Sequence, residues 1–291
     1  MLSVCDHDRV IRSVYRISCA HDPDRLVESI DDLREGYWSF LGARQPDIPV
    51  NRGDDVFISD AETQDRLRGA FLKGALNDLN QEGVVGASYA EAELDSRTQL
   101  ARTALADLLA MDESFETLFR LVVHSIFVRP SQPGNGALGS HGGSSSAAIG
   151  SVWLAMGDRI SRLDLVEMYV HELTHHLMFI DELNNPQFNY DLISQERNYA
   201  LSAILKRQRP LDKVVHSIVV GASLVEARFG FLDSHVATVV HPATPVLRSD
   251  ICASVESVLE LSNLDELVTP HTRHLMLECE EICRSSGSGC D

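Results

Sequence analysis

The amino-acid sequence predicts a mainly helical protein with a small β-sheet, a fold of the α+β class. From Asp22 to about Leu121, apolar residues recur at spacings of three and four, the periodicity of amphipathic helices. Two short runs, 121–128 and 151–156, are rich in β-branched and aromatic residues and predict strands, although the first also suits a helix end. Residues 161–183 contain neither Gly nor Pro and predict a long helix, which would begin with a capping box because Ser161 stands three residues before Asp164.

Composition divides the 291 residues into three regions. Residues 1–129 are predicted to form a helical N-terminal region, and residues 152–291 a catalytic region that carries a metal site. Between them, residues 130–151 contain two prolines, several glycines and three consecutive serines, which predict a long Gly/Ser-rich loop. Such a loop serves either as a lid or substrate-binding segment or as a passive linker.

The charge and the apolar pattern restrict the partners of this chain. The formal net charge is -18, which argues against nucleic acid because phosphate binding needs clustered Lys and Arg. A basic peptide would be tolerated. The first 15 residues lack the unbroken apolar stretch of a secretory signal, and no run approaches the length of a membrane span. We therefore expect a soluble, cytoplasmic protein without a membrane partner, and a homodimer is compatible with the sequence.

The six cysteines form no C-x-x-C pair and no dense disulfide framework, so reduced thiols are expected. Cys279 and Cys283 stand four residues apart and would share a helix face. They are interpreted either as packing cysteines or as a second metal or redox site. The tail from Arg284 to Asp291 is rich in Ser and Gly and is expected to fray.

The predicted helix at 161–183 carries the motif His-Glu-Leu-Thr-His at positions 171–175. An i, i+4 spacing places His171 and His175 one above the other, close enough to bind one ion, with Glu172 beside its open position. An apolar stripe on an adjacent face should pack against the core; it consists of Val166, Val170, Leu173, Leu177 and Ile180. The alternative is a helix whose histidines are satisfied by carbonyls or carboxylates. His176 is expected to face away from the pair, as a supporting or surface residue.

A strand, a turn and then a metal helix is the order found in the zincin architecture, and it predicts a zincin-like core here. Metzincins have a Gly three residues and a His six residues after the motif, where this chain has Met178 and Asp181, which excludes that family. Thermolysin-like enzymes supply a Glu about twenty residues later. Glu196 lies one residue from that spacing, and Ala200 stands where their supporting acid would be, which weakens a standard peptidase interpretation.

His216 is the preferred third ligand. Pro210 suits the first turn of a helix that would contain His216 on the same side as Val220. A lone His on an apolar helix is more often a buried structural residue, but the pair at 171 and 175 needs another donor. Glu226 and Glu196 are the reserve candidates.

The HExxH helix, followed by the Arg209-Pro210 pair and His216 leading into an apolar helix, resembles the HExxH-motif proteins found beside ribosomally made peptide natural products. The likeness covers about Val152 to Phe229. It implies a 2-oxoglutarate-dependent, iron-containing hydroxylase that acts on the β-carbon of a residue in a precursor peptide. His171, His175 and His216 would then hold Fe(II).

The far carboxylate of 2-oxoglutarate needs a cation, for which a bidentate guanidinium is the best match. Arg209 is the first candidate and Arg207 the second, and the alternative for Arg209 is a solvated surface charge. The rival enzyme is a zinc metallopeptidase in which Glu172 is the general base, whereas in the hydroxylase Glu172 orients its neighbours. A third hypothesis is a metal-stabilised module in which the Gly/Ser loop clamps a peptide.

Overall fold

The computed structural model of the protein describes residues 2–71, 84–132, 140–232 and 235–285. Helices dominate this part of the chain, as predicted for the α+β class. The α-helices are α1 (His7–His21), α2 (Ile30–Arg44), α3 (Ala61–Gly69), α4 (Glu91–Leu109), α5 (Glu113–Val122), α6 (Arg162–Asn184), α7 (Tyr190–Ile193), α8 (Leu211–Ala227), α9 (Thr244–Leu259), α10 (Leu264–Leu267) and α11 (Pro270–Ser285). Short 3-10 helices span Ser3–Cys5 and Glu196–Asn198, and a π-helical segment, Arg228–Leu232, extends α8.

The main sheet has the strand order β1-β3-β2, with β1 at Ser125–Val128, β2 at Gly142–Ser144 and β3 at Ser151–Leu154. Strands β1 and β3 are parallel, and β2 is antiparallel to β3. Both predicted strands are confirmed, although the first begins later than expected because its leading apolar residues finish α5. A second, two-stranded ribbon pairs β4 (Ala200–Leu201) with β5 (Gln208–Arg209).

The predicted loop at 130–151 is wrong in one respect, since its described part contains β2; residues 133–139 lie outside the described residues. A glycine makes this strand possible. A Cβ on Gly142 would lie 2.8 Å from the carbonyl oxygen of Trp153, and the methyl group of Met168 would be closer still. Because Gly142 has no side chain, the strand fits between β3 and α6.

Gly142→Ala is expected to destabilise the protein by about 1 to 3 kcal/mol, because the added methyl group meets a backbone oxygen that cannot move aside. Urea unfolding measures this loss. The matched control is Gly157→Ala, where an added Cβ would have no atom within 4 Å. Equal stabilities for the two variants would show that β2 does not lie between β3 and α6 as described.

Helices α6 and α8 form the centre of the molecule. Helix α6 packs against α8, α4 and α1, and α8 packs also against α9 and α11. The predicted apolar stripe of α6, from Val166 to Ile180, is buried in the core as expected. The predicted capping box is also present, because Ser161 accepts the amide of Asp164 and the Asp164 carboxylate accepts the amide of Ser161.

Helix α8 and its π-helical extension form one apolar segment, Leu211–Leu232. By length and composition alone this segment would be able to cross a membrane. However, 78% of the window that passes this test is buried inside the protein, as expected for the core helix of a packed bundle. Pro210 precedes the helix as its N-cap residue, one position earlier than predicted.

Cys279 and Cys283 lie on α11 and are buried. Burial raises the pKa of Cys283 to about 12 and that of Cys279 well above its ordinary value, so both are unreactive thiols. Neither belongs to a metal-holding group among the described residues. These observations favour the packing interpretation, and the tail beyond Ser285 lies outside the described residues.

Candidate metal centre

The packing of α6 on α8 brings the three predicted histidines together. The Nε2 atoms of His171 and His175 are 3.2 Å apart, and Nδ1 of His175 is 2.8 Å from Nδ1 of His216. Each pair of adjacent ring centroids is 5.0 or 5.1 Å apart. The row of imidazoles therefore runs from one helix to the other.

A fourth imidazole, that of His241, extends the row at its other end. Nε2 of His241 is 2.9 Å from Nδ1 of His171, and the two rings stack with their centroids 5.1 Å apart. His241 lies between the π-helical segment and α9, in a stretch without regular secondary structure, and it is buried. The candidate site therefore draws on a loop as well as on two helices.

Glu167, a residue of α6, holds His241 in place. Its carboxylate contacts Nδ1 of His241 at 3.0 Å and accepts two hydrogen bonds from Arg228, at 2.7 and 2.8 Å. Both side chains of the Glu167–Arg228 pair are completely buried. Burial opposes ionisation of Glu167, but the hydrogen bonds from His241 and Arg228 outweigh it and lower the pKa of the carboxyl. A negatively charged carboxylate therefore contacts His241 at Nδ1, the ring nitrogen that does not face His171.

The capping residue Asp164 holds the loop that carries His241. Its Oδ1 accepts the amides of Val239 and Val240 at 2.6 and 3.1 Å. The other carboxylate oxygen, Oδ2, accepts the amide of Ser161 in the capping box. One side chain therefore begins α6 and fixes the residues that immediately precede His241.

The rings at 171, 175 and 216 are neutral at pH 7. Burial lowers the pKa of His171 and His175 well below the ordinary value and that of His216 to about 3. The neighbouring imidazoles lower the pKa of His175 further. Neutral imidazole is the form that binds a metal ion, so the protonation state suits a metal centre.

If each imidazole carries one proton, a single set of tautomers satisfies every contact in the row. His241 donates to Glu167, His171 to His241, His175 to His171, and His216 to His175. An ion bound by both Nε2 atoms would move the proton of His175 to Nδ1, where it donates to His216. A metal-binding His usually donates its other ring N–H in this way.

Two of the described side chains, those of His171 and His175, have the spacing that a shared metal ion requires. Ligands about 2.0 to 2.2 Å from one ion lie roughly 2.9 to 3.5 Å apart, which matches the two Nε2 atoms of His171 and His175. His216, however, contacts the nitrogen of His175 that faces away from His171. Across the part of the chain that the structure describes, no three His, Cys, Asp or Glu side chains together form a metal-holding group. The third ligand therefore stays a prediction.

Glu172 lies in the wall of the cavity beside the histidines. Its carboxyl is buried and accepts a hydrogen bond of 2.7 Å from the hydroxyl of Ser144 on β2. Burial raises the pKa of Glu172 to about 8, although the bond from Ser144 partly offsets this effect. A carboxyl with such a pKa is able to take up or release a proton near neutral pH.

His176 is a buried supporting residue, and the surface alternative for it is wrong. Its Nδ1 accepts the amide of Gly150 at 3.2 Å, and its Nε2 lies 3.3 Å from the Ser144 hydroxyl. It therefore links α6 to the segment between β2 and β3. The same serine contacts Glu172, so His176 helps to place that carboxyl.

A cavity of about 260 Å³ opens onto these residues. Its wall contains the four imidazoles, Glu172, β2, and the cationic side chains of Arg209 and Lys213. Arg209 is 7% exposed, so the surface alternative for it is wrong. Arg207, the second candidate for the cosubstrate carboxylate, does not line this cavity.

The reserve ligands Glu226 and Glu196 do not line this cavity. Glu226 accepts the amide of Leu2 at 2.8 Å, on a part of α8 that faces the start of the chain. Glu196 is exposed at the start of the 3-10 helix Glu196–Asn198. As arranged here, neither carboxylate completes the pair at 171 and 175.

Sequence reasoning missed His241, Glu167 and Lys213. Nothing local marks His241, because its position depends on how a loop folds back onto α6. Glu167 did carry a signal, since it stands one turn before His171 on the same face of the predicted helix. Comparison of the sequence with models of known protein families and with curated proteins gave no significant match.

Proposed function

We propose that the protein is an Fe(II)- and 2-oxoglutarate-dependent hydroxylase that acts on the β-carbon of a residue in a ribosomally made precursor peptide. The observation that carries this proposal is the row of neutral imidazoles, with two facing Nε2 atoms 3.2 Å apart, beside a cavity that also presents Arg209. The order of β3 and α6 supports a zincin-like core as part of the same proposal.

In this proposal His171 and His175 hold the iron, with His216 and His241 as the nearest further imidazoles. When bound, the iron supplies the activation of O2 that hydroxylation of a C–H bond requires. Arg209 binds the far carboxylate of 2-oxoglutarate, because it lies in the cavity wall and the shape of a guanidinium matches that of a carboxylate. Glu167 orients His171 through His241, and Glu172 orients its neighbours at the cavity wall.

The rival candidate is a zinc metallopeptidase, and the position of Glu172 favours it. A buried carboxyl with a pKa near 8, placed one residue after the first motif histidine, is suited to take a proton from an attacking water. The hydroxyl of Ser144 would hold that carboxyl in place. Both candidates use His171 and His175, and they differ in what Glu172 does.

The test of the hydroxylase is anaerobic addition of Fe(II) and then 2-oxoglutarate to the purified protein. We expect a visible charge-transfer band that saturates with 2-oxoglutarate. Arg209→Met should weaken this binding by about ten- to a hundredfold, the range expected for lost charge-assisted hydrogen bonds. Arg207→Met is the control and should leave the titration unchanged, since Arg207 does not line the cavity.

Two other outcomes would contradict the hydroxylase, and a third would contradict the role of Arg209. Absence of the band, with tight zinc binding and peptide cleavage that Glu172→Gln abolishes, would establish the peptidase. Tight peptide binding without turnover, and with no free coordination position on the metal, would favour the peptide-binding module. An Arg209→Met variant with wild-type 2-oxoglutarate affinity would remove Arg209 from the site.

A further inference from the structure

A second cavity, of about 250 Å³, adjoins the metal centre. It shares Ser146, Phe179, Lys213 and His216 with the first cavity. The remaining members of its wall come from the end of α6, from α7 and from the first turn of α8, and they are Glu182, Tyr190 and Asp212. A group bound here would therefore lie next to the row of imidazoles.

Asp212 carries an unsatisfied oxygen in the wall of this cavity. The residue is 6% exposed, its Oδ2 lies 3.2 Å from Nζ of Lys213, and its Oδ1 is buried without a hydrogen-bond partner. Buried polar atoms in native proteins nearly always have a partner. Because this oxygen is almost inaccessible, the carboxylate would have to turn toward the cavity, where a ligand that donates hydrogen bonds would supply the missing partner.

Glu182 adds a second acidic group to the same wall. It accepts a hydrogen bond of 2.6 Å from the hydroxyl of Tyr190. Burial, together with the nearby charge of Asp212, raises the pKa of Glu182, although the hydrogen bond from Tyr190 and the charge of Lys213 oppose this effect. Lys213 compensates one of the two carboxylates, so the wall keeps room for one more positive charge.

Aromatic rings complete the wall. Phe179 lies between the two cavities, and Tyr190 is 42% exposed at the rim of the second. The faces of such rings attract ammonium and guanidinium groups. The acidic pair and the rings therefore favour the same kind of ligand.

We propose that this second cavity is a specificity subsite that binds the side chain of a Lys or Arg residue in the substrate peptide. The basic residue would stand close to the modified one in the peptide, because the two cavities share Lys213 and His216. The net charge of -18 supports the proposal, since it would attract a basic peptide before the specific contacts form. The proposal rests on the proposed function insofar as a peptide is the substrate.

The test uses two neutral-backbone probes, Nα-acetyl-lysine methylamide and Nα-acetyl-norleucine methylamide, which differ in the ammonium group. Their binding to the purified full-length protein is measured by ligand-observed NMR titration, without added metal or 2-oxoglutarate. We expect the lysine probe to bind at least about tenfold more tightly than the norleucine probe. A charge-assisted contact in a desolvated site has this magnitude.

Asp212→Asn and Glu182→Gln should each weaken binding of the lysine probe by about tenfold and leave the norleucine probe unchanged. The control is Asp265→Asn, at a carboxylate that is 89% exposed and remote from the cavity wall. If Asp212→Asn does not fold, because it leaves Lys213 without its partner, Glu182→Gln carries the test alone.

Equal affinities for the two probes, or lysine binding that neither variant weakens, would overturn the subsite. Because the measurement needs neither metal nor turnover, its result is independent of the proposed reaction. A missing charge-transfer band together with selective lysine binding would contradict the hydroxylase proposal and support the subsite proposal. A saturable charge-transfer band without selective lysine binding would support the hydroxylase proposal and contradict the subsite proposal.

Discussion

Replacing Glu167 with Gln is expected to destabilise the protein by about 3 to 5 kcal/mol, the cost of leaving one partner of a buried ion pair uncompensated. Both Glu167 and Arg228 are fully buried, so no solvent reaches the orphaned guanidinium. Urea unfolding, followed by circular dichroism, measures the change in the free energy of unfolding. The loss is large compared with the marginal stability of most domains.

Two further variants separate the charge effect from a general loss of packing. Glu116→Gln breaks an exposed pair with Arg120 and should cost less than about 1 kcal/mol. The double variant Glu167→Gln/Arg228→Met should recover most of the stability lost in the single variant, since no buried charge remains. A double variant as unstable as Glu167→Gln alone would contradict this account.

His171→Ala and His175→Ala are each expected to abolish binding of divalent metal at micromolar concentration. Their Nε2 atoms face each other at 3.2 Å, and one imidazole alone does not hold an ion tightly in water. Competition with a chromophoric chelator measures the affinity. The control is His274→Ala, since this ring is 69% exposed on α11 and should leave the affinity unchanged.

The same assay distinguishes a third ligand from a supporting residue. Loss of a ligand should remove binding, whereas loss of a side chain that only orients a ligand should weaken it by about ten- to a hundredfold. We expect the milder effect for His241→Ala, because His241 contacts Nδ1 of His171. A His175→Ala variant that binds metal with wild-type affinity would contradict the metal-centre interpretation.

Local interactions explain why much of the fold was predictable. The capping box of Ser161 and Asp164 and the apolar stripe of α6 depend on residues within one helix, and both are confirmed. Strand β2 was missed because it forms by pairing with β3 and approaches Met168 of α6 closely, and neither contact is visible in the local composition. Composition alone assigned that segment to a loop.

For the candidate site too, the sequence predicted what local geometry determines and missed what depends on distant contacts. The motif placed His171 and His175 on one helix face because helical geometry alone determines that placement. The contact of His175 with His216 required the packing of α6 on α8, for which the spacing of Pro210 and His216 was an indirect signal. His241 reaches the site through the backbone amides of a loop, and no periodic pattern in the sequence describes that path.

The contacts of Asp164 with two separate segments have a consequence for local unfolding. Its carboxylate holds the first turn of α6 with one oxygen and the amides of Val239 and Val240 with the other. Fraying of that helix end would therefore release the loop that carries His241, and release of the loop would remove support from the helix end. We therefore expect the two segments to open together, so that unwinding of the helix start loosens the loop that precedes His241.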